Sequence, residues 1–86
     1  MDSNKQNLVN KIFYRARYRG SKEMDAFILS FVISIIKELS IDELEDLNEI
    51  VNLNDEEILN IINKNSKKRK LNADILFRLK KFKNNL

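Results

Sequence analysis

The side chains able to do chemistry gather in "YRARYRGSKEMD", residues 14–25, where four cations, two tyrosines and the only glycine accompany the carboxylates of Glu23 and Asp25. Tyr14 and Tyr18 stand one helical turn apart, and tyrosines interleaved with Arg15, Arg17 and Arg19 have the composition of a protein–protein hot spot. The rest of the chain narrows the choice. It contains no histidine and no cysteine, which removes the usual zinc sites, disulfides, Ser-His-Asp and Cys-His nucleophiles and the commonest general base. With a single glycine, neither a dinucleotide fingerprint nor a phosphate-cradling loop can be written. Carboxylates, lysines, serines and two tyrosines remain, a set suited to recognition. We therefore expect no catalytic residue, no metal ligand and no stably held cofactor.

The elements that must position this cluster all read as helix, with no sustained apolar/polar alternation and no Asn-Gly or Asp-Gly hairpin signal. A first helix over about 4–18 puts Leu8, Val9, Ile12, Phe13 and Ala16 on one face and Lys11, Tyr14 and Tyr18 on the other. Gly20 fits the left-handed position that closes such a helix, with Arg17 and Arg19 near its negative end. A second helix over about 21–39 is apolar nearly all round and belongs at the centre of a bundle. Its one polar stripe is Glu23, Ser30, Ser34 and Lys37. Ser40 with Glu43 spells a capping box for a third helix burying Ile41, Leu44, Leu47 and Val51, and Asn54 with Glu57 repeats it for a fourth presenting Ile58, Ile61 and Ile62. After a charged connector at 64–70, Asn72 can cap a last basic helix over about 72–83, with Ile75, Leu76, Leu79 and Phe82 inward. The expected fold is all-α, one domain over 1–86, a bundle of five short helices.

Charge is blocked along the chain. Residues 1–37 carry seven Lys/Arg against three Asp/Glu, residues 38–57 none against nine, and residues 58–86 nine against one, or +4, −9 and +8 for a net +3. Such blocks pair internally, face partners or are simply solvated. Twelve asparagines, eleven isoleucines and eleven lysines match the output of an AT-rich genome, so the basic balance says little about nucleic acid. The longest apolar run, residues 26–36, is far short of the roughly 20 needed to span a bilayer. The opening "MDSNKQNLVNKIF" lacks a signal-type apolar core. We expect an unprocessed cytoplasmic protein of a bacterium, with no membrane insertion.

Arg19, Gly20 and Glu23 form an RGxxE pattern followed by Met24 and Asp25, between an aromatic, basic helix and a buried apolar one. This arrangement resembles the SdhE-type family of succinate dehydrogenase assembly factors, which promote covalent FAD attachment to the flavoprotein subunit. "DEEILNII", residues 55–62, stands where that family has an acidic start to its fourth helix, and the likeness covers about residues 8–65. Ile61, Glu56 and Lys64 depart from it, standing where tryptophan, proline and glycine are common. The resemblance implies a partner, the flavoprotein subunit of succinate dehydrogenase, with the fumarate reductase flavoprotein as a further candidate. It also implies that the attacking histidine and the FAD both belong to that partner. The partner-binding residues are then Tyr14, Arg17, Tyr18, Arg19, Gly20, Glu23 and Asp25. On that reading Arg19 and Glu23 face outward, and truncating either leaves stability nearly unchanged.

Blander readings stand beside these. Arg19 and Glu23 can pair with each other across the turn, worth about 0–1 kcal/mol if exposed. Glu23 and Asp25 favour a helix N-terminus by its dipole alone. From another functional class, "KKRK" and "RLKKFK" would give a nucleic-acid-binding protein its phosphate contacts, but the acidic block opposes it. A self-sufficient enzyme lacks the residues it would need. The tail beyond about residue 72 is expected to contribute less to function than the first two helices.

Overall fold

Helices begin where a polar side chain can take up an orphan amide N–H, and the described residues show such a side chain at the head of four helices. The computed structural model describes residues 3–64 and 71–84. Within these lie α1 (Ser3–Arg17), α2 (Lys22–Ile35), α3 (Ile41–Val51), α4 (Asp55–Lys64) and α5 (Ala73–Asn84). The Ser21 hydroxyl accepts from the Met24 N–H at the head of α2. At α3 the expected capping box is complete: Ser40 accepts from the Glu43 N–H and the Glu43 carboxylate accepts from the Ser40 N–H at 3.0 Å. The Ser40 N–H foremost, and then the Ser40 hydroxyl, hold the Glu43 carboxyl below its ordinary value of 4.5. Asn54 and Glu57 exchange the same pair of bonds at α4, and Asn72 accepts from the Ile75 N–H at α5. Among the described residues there is no strand. The connector expected at 64–70 lies, past the end of α4, outside them.

The buried residues follow the helical periodicity. α1 contributes Ile12 and Ala16, α2 contributes Ile28, Phe31, Val32 and Ile35, α3 contributes Leu44, Leu47, Ile50 and Val51, and Ile58, Ile61, Ile75, Leu76 and Leu79 complete one core. α1 packs on α2 and α3, and α5 packs on α4 and α2, so α2 is shared by both pairs and central as expected. It stops short of residue 39. A 3-10 turn over Ile36–Glu38 follows, and Leu39 is extended at φ −89° and ψ 141°. That kink drops Leu39 into the core ahead of the Ser40 cap, where Leu44, four positions into α3, is also buried, the arrangement of a hydrophobic staple.

Two isoleucines depart from the expected pattern. Ile33 is 59% exposed because it falls on the outer stripe with Ser30, Ser34 and Lys37, one helical turn from each end of that set. Ile41, expected inside, is 40% exposed because it is the first residue of α3, where the chain is still turning in from the surface cap. Phe82 faces inward, as expected. The Phe82 ring lies 5.7 Å from that of Phe31 and 6.0 Å from that of Phe27, so the last turns of α5 help to close the core over α2.

Candidate functional site

The face of α1 opposite Ile12 and Ala16 carries the two tyrosines, held in line because the Tyr18 N–H still donates to the Tyr14 carbonyl beyond the last residue of α1. Tyr14 is 67% and Tyr18 63% exposed, and their rings lean on one another with centroids 4.8 Å apart. An open groove of about 360 Å³ runs beside them, lined by Asn10, Phe13, Tyr14, Arg17 and Tyr18. A second, of about 480 Å³, is lined by Asn10, Lys11, Tyr14 and Arg15 from α1 and by Asn48 of α3 and Asn52, the residue that caps its end. The two share Asn10 and Tyr14, so they form one continuous surface. Tyr14, Arg17 and Tyr18 are thus brought together, as their spacing predicts.

The turn after α1 is built on Gly20, at φ +106°, a conformation that side chains rarely adopt. α1 ends at Arg17, a residue earlier than expected, so the glycine stands a little beyond the helix-closing position. A Cβ placed on it would meet nothing within 4 Å. The turn is fastened from the next helix: the Arg19 N–H donates to Asp25 Oδ1 at 2.9 Å. Asp25 is therefore partly buried and committed within the chain.

Arg19 corrects the sequence reading. Its side chain is only 2% exposed and points into the protein, not toward solvent. Nη1 donates to the Val51 carbonyl and Nη2 to the Leu53 carbonyl, while Nε donates to Asp55 Oδ1 at 3.2 Å. Carbonyls at the end of α3 have no intrahelical partner and concentrate partial negative charge. The planar guanidinium supplies several donors in one fork and answers two carbonyls and a carboxylate at once. Nor does Arg19 pair with Glu23. Glu23 is exposed and accepts only the Ser21 hydroxyl, at 3.1 Å, among the described residues. The RGxxE residues therefore divide: arginine inward, glycine at an open turn, glutamate outward. Asp55 is absent from the predicted set. Its signal was the acidic start of α4, readable as capping alone.

The fold and surface define a small all-α protein whose most distinctive exposed feature is an aromatic, cationic helix face beside a glycine turn. Among the described residues no helix is long and apolar enough to cross a membrane. Comparison with family models places it further: the model of Sdh5, the flavinator of succinate dehydrogenase, matches residues 10–83, and the chain belongs to that family. The match runs through α5, beyond the reach of about residue 65 given by the resemblance. Neither a search of curated proteins nor one of solved structures returned a match.

Proposed function

We propose that this chain binds the flavoprotein subunit of succinate dehydrogenase through the Tyr14–Arg17–Tyr18 face, with Gly20 and Glu23 at its edge, and promotes covalent attachment of FAD by ordering the partner's active site. Membership of the flavinator family over residues 10–83 carries this reading. The exposed tyrosines, rings in contact beside Arg17, support the choice of face, since aromatic and arginine side chains dominate binding energy at interfaces. A chain without histidine or cysteine suits a division of labour in which nucleophile and flavin belong to the partner. The chain itself holds free FAD weakly or not at all, having one glycine and no loop to cradle a pyrophosphate. Its contribution is differential binding: favouring the attachment-competent arrangement a hundredfold takes about 2.7 kcal/mol. The fumarate reductase flavoprotein is a second partner in this proposal.

Arg19 and Asp25 act here from behind, by fixing the turn that presents Gly20 and Glu23. Of the α5 cations the nucleic-acid alternative would use, Arg78 is engaged by Glu38 at 3.2 Å and Asp74 at 3.4 Å. The test incubates the purified apo flavoprotein subunit with FAD, with and without this protein, and reads covalent flavin by fluorescence in a denaturing gel. We expect stimulation by the wild type and its loss in a Tyr14→Ala/Tyr18→Ala variant of unchanged melting curve. Equal covalent flavin with and without the wild-type protein would reject the proposal.

A further inference from the structure

The groove between α1 and α3 has a lining at odds with its surroundings. α3 carries five carboxylates, Asp42, Glu43, Glu45, Asp46 and Glu49, yet it and its capping residue present to this groove only Asn48 and Asn52. Opposite them stand Lys11 and Arg15. Among the described residues neither cation makes an ion pair within the chain, although the most acidic helix of the protein lies alongside. The two asparagines are tied to each other: Asn52 Nδ2 donates to the Asn48 carbonyl at 2.7 Å and to Asn48 Oδ1 at 3.2 Å. That arrangement leaves the Asn48 amide nitrogen as a donor and the Asn52 side-chain oxygen as an acceptor without a partner among the described residues. One donor and one acceptor match the C=O and N–H of a peptide backbone.

We propose that this groove receives an extended acidic segment of the flavoprotein partner, with Lys11 and Arg15 on its carboxylates and Asn48 and Asn52 on its main chain. The spacing sets the pattern of that segment. Lys11 and Arg15 are four residues apart on α1, a rise of about 6 Å. In an extended chain two residues span about 6.6 Å and bring alternate side chains to the same face. Acidic residues at alternate positions therefore meet both cations at once, and the groove continues past Asn10 and Tyr14 into the tyrosine face. The inference rests on the partner-binding reading above and adds to it the chemistry of what is bound.

The experiment titrates purified flavoprotein subunit against wild type, Lys11→Glu/Arg15→Glu, Asn48→Ala and a control, Lys81→Glu/Lys83→Glu, at low and at near-physiological salt. Thermal melts accompany each variant. All four substituted cations are exposed and Arg15, Lys81 and Lys83 lie in last helical turns, so both double variants are expected to melt only slightly below wild type. We expect Lys11→Glu/Arg15→Glu to weaken the complex at least tenfold at low salt and to flatten its salt dependence. Asn48→Ala should weaken binding without changing the salt slope, and the α5 control should bind as wild type. Wild-type affinity in Lys11→Glu/Arg15→Glu overturns the acidic-segment proposal while the proposed function stands. Wild-type protein that neither binds the flavoprotein nor raises covalent flavin overturns both. A variant that keeps the flavoprotein but loses a single-stranded oligonucleotide retained by the wild type marks a phosphate site, and also overturns the proposal.

Discussion

Arg19→Ala tests the central geometric finding, that the motif arginine holds the protein together from inside. The substitution strands the carbonyls of Val51 and Leu53, residues 1% and 2% exposed, and removes the cation facing Asp55. A buried acceptor left unsatisfied costs about 1–3 kcal/mol. The Asp55 side chain is 34% exposed, so solvent screening limits that ion pair to at most about 1 kcal/mol. Water entering the vacated space recovers part of the loss, which leaves a destabilisation of roughly 3–5 kcal/mol, most of it from the two carbonyls. At about 4–8 °C per kcal/mol for a domain of this size, the melting temperature should fall by at least about 12 °C. Arg19→Lys should fall between, since an ammonium keeps the charge without the planar fork. Urea and thermal unfolding followed by circular dichroism measure the loss, with Glu23→Ala, at an exposed position, expected within about 0.5 kcal/mol of wild type. An Arg19→Ala protein as stable as wild type would refute the reasoning, because the contacts it rests on would then carry no net free energy.

Gly20→Ala and Gly20→Arg should cost the same stability, about 1 kcal/mol or more, because the penalty lies in the φ of +106° and not in crowding. Only the arginine variant should also impede flavinylation by blocking close approach, and equal activity of the two would leave the turn unoccupied by the partner. The Glu43 carboxyl is held below its ordinary value in the folded chain, so its contribution is fully present above about pH 4.5 and is lost as pH falls through the lowered value. The stability gap between wild type and Glu43→Gln should accordingly close on acidification, and a gap constant from pH 7 to pH 2 would contradict the capping-box account. Phe31→Ala should lose about 3–5 kcal/mol by truncation in the core. Deleting residues 80–86 should also lower the melting point, since it removes Phe82 from the Phe27 and Phe31 rings; an unchanged melt would show that contact to be idle.

What could be read from the sequence was local. Ser40 with Glu43 and Asn54 with Glu57 announce helix starts because both halves of the cap lie within four residues, and the centrality of α2 follows from its nearly unbroken apolar circumference. The exposed tyrosines follow from a 3.6-residue period. The direction of Arg19 could not be read this way. Its acceptors lie 32, 34 and 36 positions further on, and two of them are main-chain carbonyls, which leave no mark in a sequence. The α1–α3 groove was hidden for a related reason: Asn48 and Asn52 are two among twelve asparagines and gain meaning only once α3 is laid against α1. Ile33 shows the opposite failure, an apolar residue on an apolar helix whose outward face was signalled only by the serines and lysine around it.

The packing of Phe82 over Phe27 and Phe31 also orders events during synthesis. α1 can pack on α2 as soon as both are made, but the part of the α2 surface around Phe27 and Phe31 stays open until a helix nearly fifty residues later has been added. At roughly 5–20 residues per second the nascent chain spends several seconds with that surface uncovered. A chain cut off before α5 would present a sticky helix in place of a closed one, the kind of species that chaperones and proteases remove. α5 thus closes over α2 after synthesis has passed it, and the time that takes is set by the stretch of chain between Phe31 and Phe82.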